Sequence, residues 1–252
     1  MRQSFTWWSF TLTDPPDDVG AFLQAASDIG FEGVEMLPPE HASTAAGAGL
    51  QLVTATGHEI EHGFNDPARH AELHETVGSA IEEASAAGVA NVIVFSGNHI
   101  GDDDDTAIAH CAAGLAPLVE QAERSGVTLL LELLNSKVDH PGYQCDRSEW
   151  GFEVIRTVDS PSLRVLFDVY HMQLMEGDLL RTLKANLALV GHIHTAGVPG
   201  RRDLDDRQEI HWPGLAGLLV HLGYDGWVGH EFMPRGDALD ALAQAHAIFD
   251  RR

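Results

Sequence analysis

The stretch LRVLFDVYHMQ, residues 163–173, shows how this chain is built. It is an apolar run rich in β-branched and aromatic residues, and a carboxylate and an imidazole follow it. Such a run predicts a strand that is buried on both faces, as in a parallel sheet. Asp168 is its first side chain that cannot stay unpaired, because a buried charge needs a cation or several hydrogen-bond donors. The stretch therefore predicts a strand that ends at a functional site.

The same arrangement recurs in three other apolar runs: TLLLELLN (residues 128–135), VGHIHTAG (190–197) and GWVGHEF (226–232). Each run carries an acid or a histidine at or near its C-terminal end. The four candidate metal ligands are Glu132, Asp168, His194 and Glu231. Three carboxylates and one imidazole predict a site for one divalent cation, with Mn²⁺, Mg²⁺ or Co²⁺ favoured and Zn²⁺ allowed.

Composition limits the classes of partner. The 252 residues contain 38 Asp and Glu against 15 Lys and Arg, a net charge of −23. This balance disfavours nucleic acid and anionic membranes as partners. No apolar run approaches the roughly 20 residues of a membrane span, and the N-terminus lacks the pattern of a signal peptide. We expect a cytoplasmic protein that binds a small molecule, with homo-oligomer formation left open.

Strands and helices alternate along the chain. RQSFTWW, FEGVEML, LQLVTATGH and VANVIVFSG are the first four predicted strands, and four more follow. The first helix is predicted to be capped by Asp14, and the second to start at Asp66 and end at Gly88. Further helices are expected at 107–125 and at about 150–158, 178–189 and 213–222.

A repeated phrase indicates that these elements form one domain. IGFEGVEM, AGVANVIVF, SGVTLLLE and LGYDGWVGHE each place a glycine shortly before an apolar strand, and no linker divides residues 1–252. Eight such units predict a (β/α)8 TIM barrel, whose reactive groups collect at the C-terminal ends of the strands. A doubly wound sheet is the second possibility, but no glycine-rich phosphate loop follows the first strand.

Several motifs resemble the hydroxypyruvate isomerase family of the xylose-isomerase-like TIM barrel superfamily. They are LELLN, FDVYHMQLMEGD, VGHIHTAG with the following Arg201, EIHWPG and YDGWVGHEFMP, and the similarity is densest over 128–234. The resemblance implies one divalent metal on the four candidate ligands, with Glu132 and Glu231 also as acid and base. Hydroxypyruvate isomerases commonly have Gln at the position of His194, whereas ketose 3-epimerases and related sugar isomerases usually have His. Both substrate classes therefore stay open.

Four further side chains are candidates for substrate binding. His171 resembles the family's substrate-contacting histidine, and it could equally support a metal ligand. Arg201 resembles the arginine that faces the substrate, with Arg202 as the alternative; a guanidinium fork suits a carboxylate or phosphate. His192 either reaches the pocket or is a hydrogen-bonded core histidine, and His58 follows a strand that approaches the pocket.

Other conspicuous side chains have simpler explanations. His70 and His74 have helical spacing and are expected on a solvated helix face. The acidic run at 102–105 is expected to lead into a helix, and both cysteines, Cys111 and Cys145, are expected to be inert. Of Trp7 and Trp8, strand alternation would allow only one to point inward. Glu209 and His211 are weak candidates for a loop near the site.

The predicted function is a metal-assisted aldose–ketose type isomerase of a small hydroxy-carbonyl acid, acting by proton transfer through an enediolate. Hydroxypyruvate and tartronate semialdehyde are the leading pair on resemblance. A ketose 3-epimerase or other sugar isomerase is the alternative, and a noncatalytic sugar or acid sensor is a more distant one. An apurinic-site endonuclease would need a basic track for phosphates, which this acidic chain lacks.

Overall fold

The protein is a nearly closed barrel of parallel strands surrounded by helices, and the computed structural model describes residues 1–251. The strands are β1 (Arg2–Thr6), β2 (Gly33–Glu35), β3 (Gln51–Leu52), β4 (Thr54–Thr56), β5 (Asn91–Val94), β6 (Thr128–Glu132), β7 (Leu163–Asp168), β8 (Val190–Thr195) and β9 (Trp227–His230). Their order in the sheet is β3-β2-β1-β9-β8-β7-β6-β5-β4. The predicted TIM barrel is confirmed.

The barrel differs from the predicted one at its third strand. That strand is divided at Val53 into β3 and β4, which occupy the two ends of the sheet order. Two backbone hydrogen bonds cross the break: Val53 N–H donates to Val34 O and Met36 N–H donates to Thr54 O, both at 3.0 Å. The described residues therefore contain nine strand segments rather than eight.

Helices follow most strands and cover the outside of the barrel. They are α1 (Trp7–Thr11), α2 (Val19–Ile29), α3 (Ala42–Gly47), α4 (His70–Ala87), α5 (Asp104–Ser125), α6 (Ser148–Val158), α7 (Val169–Met175), α8 (Leu179–Asn186), α9 (Trp212–His221) and α10 (Ala238–Phe249). Because helices lie outside and side chains fill the interior, strands such as β7 are buried on both faces. No helix among residues 1–251 has the length and apolar character to cross a bilayer.

The N-terminal segment corrects two predictions. β1 ends at Thr6, and Trp7 and Trp8 start α1, so strand alternation does not govern their directions. The cap of α2 is Asp18, whose carboxylate accepts a hydrogen bond from Ala21 N–H at 3.0 Å, and not Asp14. The segment between Asp14 and Asp18 stays outside the helix, which begins four residues later than the Asp–Pro pair suggests.

The second long helix confirms its predicted cap and corrects the setting of its histidines. Asp66 accepts from Ala68 N–H at the start of a 3-10 turn, Pro67–Arg69, that leads into α4. His70 and His74 are half-buried rather than solvated: His70 Nε2 lies 2.9 Å from Phe64 O, and His74 Nε2 lies 2.8 Å from Gly114 O. His70 thus connects α4 to the loop at Phe64, and His74 connects α4 to α5.

Two predictions about conspicuous residues are confirmed. Asp103 caps α5, with Asp104 and Asp105 in its first turn, so the acidic run serves the helix start. Cys111 and Cys145 are both free and buried, and burial raises the pKa of each thiol above its usual range. A thiol held protonated is a poor nucleophile, as expected for inert core cysteines.

Candidate metal centre

Four strands bring the candidate metal ligands to one point. Glu132 and Asp168 are the last residues of β6 and β7, His194 is next to last in β8, and Glu231 follows β9 directly. One ligand atom from each of these four buried residues lies within 4.8 Å of all the others. This convergence follows from parallel strands whose C-terminal ends share one rim.

The free polar atoms at this point fit a cation. Asp168 Oδ2 and His194 Nδ1 are buried and have no hydrogen-bond partner among the described residues. His194 Nδ1 does lie 3.1 Å from Glu231 Oε2, but that pair does not have hydrogen-bond geometry. Buried polar atoms are rarely left unpaired, and three carboxylates with one imidazole form a donor set suited to a divalent metal. The residues present therefore fit the implied metal.

Two glutamates of the centre are in different electrostatic environments. Burial alone would raise the pKa of Glu231, but the positive charges of Arg201 and His194 hold it below its usual range. Its oxygens accept from Trp8 Nε1 at 3.0 Å and from Arg201 Nη2 at 2.5 Å. Burial and the negative charge of Glu231 instead raise the pKa of Glu132. Without a metal, Glu231 therefore loses its proton at a lower pH than Glu132 does.

Asp168 is the second carboxylate that accepts a proton readily. Burial raises its pKa to about 7, and the negative charges of Glu231 and Glu132 act in the same direction. One of its oxygens, Oδ1, accepts from His171 N–H at 3.0 Å at the start of α7. The other oxygen stays directed to the shared point.

Glu35 is a functional candidate that the sequence predictions missed. It is the last residue of β2, and its fully buried carboxylate lies 3.0 Å from both His192 Nε2 and His194 Nε2. Burial would raise the pKa of Glu35, but these two histidines lower it well below its usual range. The sequence did contain a signal for Glu35, because IGFEGVEM carries an acid near its C-terminal end, as the strands of the other ligands do.

The structure places His192 inside the barrel, hydrogen-bonded to Glu35 and without exposed surface. It is not part of the cavity wall described below. The sequence allowed His192 either to reach the pocket or to be a hydrogen-bonded core histidine, and the structure shows the core histidine.

His171 lies beside the candidate metal centre in a defined tautomer. Its Nδ1 accepts from Asn135 N–H at 3.1 Å and faces Asn135 Nδ2 at 2.5 Å, so the proton of the neutral ring is on Nε2. Burial and the positive charge of Arg201 lower the pKa of His171 well below its usual range, which keeps the ring neutral. Nε2 has no hydrogen-bond partner among the described residues and lies 3.7 Å from Asp168 Oδ2.

A cavity of about 800 Å³ opens onto Glu132 and Glu231. Much of its wall is apolar, and Arg201 is the one arginine or lysine among the described lining residues. The wall consists of Trp8, Met36, Thr56, Gly57, His58, Glu59, Ile60, Glu61, Ile93, Phe95, Glu132, Leu134, His140, Arg201 and Glu231. This volume is in the range of pockets that enclose small organic ligands.

His58 lines the cavity but offers it no free ring nitrogen. Nδ1 lies 2.8 Å from Glu59 O and 3.0 Å from His62 O, so it carries the proton, while Nε2 accepts from Phe95 N–H at 3.0 Å. Burial lowers the pKa of His58 to about 4. The ring meets the cavity through its carbon edge.

The two neighbouring arginines have different surroundings. The Arg201 guanidinium lies over the rings of Trp8 and Tyr170, at 5.2 and 5.6 Å from their centroids, and lines the cavity. Arg202 donates to Met233 O at 3.4 Å and is not part of the wall. Trp7 packs edge-on against Phe22, so Trp8 alone of the tryptophan pair reaches the centre.

Glu209 and His211 lie away from this cavity. They line a different one, together with Trp212 and neighbouring residues of the loop before α9. The structure thus separates them from the residues around Glu132 and Glu231.

The sequence model of the xylose isomerase-like TIM barrel family matches residues 23–251. The chain belongs to this family. It is 36% identical over 230 residues to the 2-oxo-tetronate isomerase of Cupriavidus necator, a match that covers 85% of this chain and 86% of the relative. It is 26% identical to the hydroxypyruvate isomerase of Escherichia coli, with 86% of this chain and 89% of the relative covered.

A solved structure supports the same fold. The crystal structure of a family 2 AP endonuclease from Brucella melitensis superposes with a TM-score of 0.86 at 26% identity, covering 98% of this chain and 99% of the other. Together with the two isomerases, it confirms the predicted family and the barrel. The relatives also confirm the prediction of an isomerase of the hydroxypyruvate isomerase type.

Proposed function

We propose that the protein is a metal-assisted isomerase of a small hydroxy-carbonyl acid, with hydroxypyruvate and tartronate semialdehyde as the leading pair. The observation that carries the proposal is the convergence of four buried ligand atoms within 4.8 Å of one another, beside a cavity that Glu132 and Glu231 line. The names of the two isomerase relatives supply the class of substrate.

Glu132, Asp168, His194 and Glu231 would hold the metal. When bound, a divalent ion polarises a carbonyl and makes the neighbouring C–H bond more acidic. The same carboxylates repel one another in its absence, so they also provide a reason for the ion to bind.

The proton transfers belong to Glu132 and Glu231, both of which line the cavity. One carboxylate removes a proton from the hydroxyl-bearing carbon, leaving an enediolate. A carboxylic acid then returns a proton to the former carbonyl carbon, while the hydroxyl proton passes to the former carbonyl oxygen. The reaction exchanges the positions of carbonyl and hydroxyl without an external oxidant.

Arg201 and His171 would orient the substrate. The Arg201 fork suits a carboxylate, and its contacts with Trp8 and Glu231 hold it at the cavity wall. His171 presents a neutral Nε2–H donor beside Asp168, suited to a substrate oxygen. His58 contributes shape through its carbon edge.

A ketose 3-epimerase is the second candidate, and the size of the cavity favours it. A volume of about 800 Å³ is much more than a three-carbon acid fills. The same pair of glutamates could remove and return a proton at one carbon of a longer sugar.

The test is an activity panel on chelator-stripped protein before and after addition of Mn²⁺. The panel contains hydroxypyruvate, a four-carbon 2-oxo acid and neutral ketoses. We expect turnover of an acid only after Mn²⁺ is restored. A preference for neutral ketoses would favour the epimerase, and no turnover of any compound by the metal-restored protein would contradict the proposal.

A further inference from the structure

We propose that Glu35 is a positioning residue: its carboxylate fixes the His194 ring so that Nε2 carries the proton and Nδ1 is left for the metal. This inference rests on the proposed metal centre and extends it to a residue outside the four ligands. Glu35 is fully buried and is not part of the cavity wall, so it does not touch substrate.

Glu35 accepts a complete set of hydrogen bonds. Oε1 accepts from Ser4 Oγ at 2.6 Å and lies 3.0 Å from His192 Nε2. Oε2 accepts from Thr54 Oγ1 at 2.9 Å and lies 3.0 Å from His194 Nε2. An ionised carboxylate only accepts, so both histidines must present N–H groups to it. Glu35 therefore specifies a proton on His194 Nε2.

The opposite edge of the His194 ring faces the metal centre. Nδ1 lies 3.1 Å from Glu231 Oε2 and 3.6 Å from Glu132 Oε1, and it has no hydrogen-bond partner among residues 1–251. A metal that binds Nδ1 displaces the proton from that nitrogen, and the proton that stays on Nε2 leaves the ring neutral with its lone pair on Nδ1. The Glu35 contact thus aims the lone pair at the point where the other ligand atoms meet, as outer partners of metal-bound histidines do.

Gly229 leaves the space in which this contact forms. It is the residue of β9 paired with His194. A Cβ atom at Gly229 would lie 2.1 Å from Glu35 Oε1 and 2.9 Å from His192 Nε2. Any side chain at position 229 would push the Glu35 carboxylate away. The contact between Glu35 and His194 therefore requires a glycine at this position, although Gly229 is far from Glu35 in sequence.

The first test measures Mn²⁺ affinity by calorimetry on the full-length protein. Glu35→Gln keeps the shape but replaces one acceptor oxygen by an amide donor. We expect it to bind Mn²⁺ about 10- to 100-fold more weakly. The matched control is Thr54→Val, which removes a different donor from the same Oε2 but keeps the carboxylate, and it should weaken Mn²⁺ binding much less than Glu35→Gln does. Equal affinity of Glu35→Gln and the unaltered protein would overturn the proposal.

The second test reads the tautomer directly and needs no variant. Long-range ¹H–¹⁵N spectra of the Mg²⁺-loaded protein should show His194 protonated at Nε2 and not at Nδ1. A proton on Nδ1 in the loaded protein would overturn the role of Glu35, even if Glu35→Gln failed to fold. If the unaltered protein bound neither Mn²⁺ nor Mg²⁺, the proposed metal centre would be wrong, and the role of Glu35 would be wrong with it. A loss of affinity in Glu35→Gln alone would support both the metal centre and the role of Glu35.

Discussion

Arg201 is held in place by three kinds of contact, and a lysine could not reproduce them together. Its guanidinium lies over Trp8 and Tyr170, donates to Glu231 Oε2, and donates from Nε to Glu231 O at 3.3 Å. A lysine ammonium keeps the charge but loses the planar fork. The charge alone would therefore not preserve the proposed recognition of a substrate carboxylate.

We expect Arg201→Lys to raise KM for an acidic substrate by about tenfold or more, the equivalent of one lost hydrogen bond to a charged group. Arg202→Lys is the matched control, because the Arg202 guanidinium donates to Met233 O at 3.4 Å and lies outside the cavity wall. Steady-state kinetics on both variants measure the effect. Similar KM values for Arg201→Lys and the unaltered protein would place the anion contact elsewhere.

His58 makes the stability of the fold depend on pH. Its pKa falls from an ordinary value near 6.5 to about 4, so below pH 6.5 the unfolded chain takes up a proton that the folded ring does not accept. The free energy of unfolding is intact above pH 6.5 and decreases as the pH falls toward 4. At about 1.4 kcal/mol per pH unit, the decrease is at most about 3.5 kcal/mol.

Urea unfolding of the unaltered protein and of His58→Gln at several pH values measures this contribution. Relative to the variant, the unaltered protein should lose stability between pH 6.5 and 4. If the free energies of unfolding of the two proteins differed by a constant amount over this interval, the result would contradict a neutral His58 ring that is hydrogen-bonded through both nitrogens.

The candidate site could be predicted at the level of single residues where strand and ligand are adjacent in sequence. Asp168 and Glu231 stand directly at the ends of apolar runs, so the pattern alone indicated them. Glu35 has the same local signal, but its partners His192 and His194 are more than 150 residues away. Only the closed barrel shows that its carboxylate meets their rings.

At the scale of the element, the start of α2 shows how a local cap can be misassigned. Asp14 precedes a proline and so resembles a cap, yet Asp18 makes the hydrogen bond to Ala21 N–H. Both residues are exposed aspartates, and the sequence pattern does not show which carboxylate accepts a hydrogen bond from the first turn of the helix.

This pair gives a direct comparison of two similar substitutions. Asp18→Ala should lower the free energy of unfolding by about 1 kcal/mol, the usual contribution of a helix N-cap. Asp14→Ala should leave it nearly unchanged, because Asp14 lies outside the helix. Urea denaturation of both variants at neutral pH measures the difference. A larger loss in Asp14→Ala would show that the cap is at the position predicted from sequence.

α1 and α4 show how tertiary contacts change the meaning of a local pattern. RQSFTWW has the composition of a strand, but the chain turns into a helix at Trp7, and this turn carries Trp8 to Glu231. His70 and His74 have the spacing of an exposed pair, yet α4 packs so that both reach backbone carbonyls. Strand propensity and helical spacing are local properties, so they could not predict these contacts with residues that are distant in sequence.

At the scale of the whole molecule, the barrel could be predicted because its units repeat. Glycines before apolar strands recur along the chain, and parallel strands place all C-terminal ends on one rim. The break at Val53 could not be predicted, because β3 and β4 together look like one continuous strand in sequence. The barrel geometry determines where that strand is divided.

The proposed metal centre predicts that the stability of the whole protein depends on divalent cations. Three carboxylates that converge inside the barrel repel one another, and a ligand that binds only the folded state stabilises it. At 100 times its Kd, Mn²⁺ should raise the free energy of unfolding by about 2.7 kcal/mol. Thermal melts of chelator-stripped protein across a Mn²⁺ titration measure this, with Asp168→Asn as the variant in which the rise should be smaller. An unchanged melting temperature would contradict divalent binding.

The most direct measurement is turnover in D₂O with analysis of deuterium in the product. If Glu132 or Glu231 carries the proton, the acid can exchange with solvent during the lifetime of the enediolate. We expect solvent deuterium on the carbon that gains hydrogen, and loss of this incorporation in Glu132→Gln and Glu231→Gln. Metal content must be measured for each variant, because both changes also remove a ligand. Rapid turnover without deuterium in the product would contradict proton transfer by these glutamates.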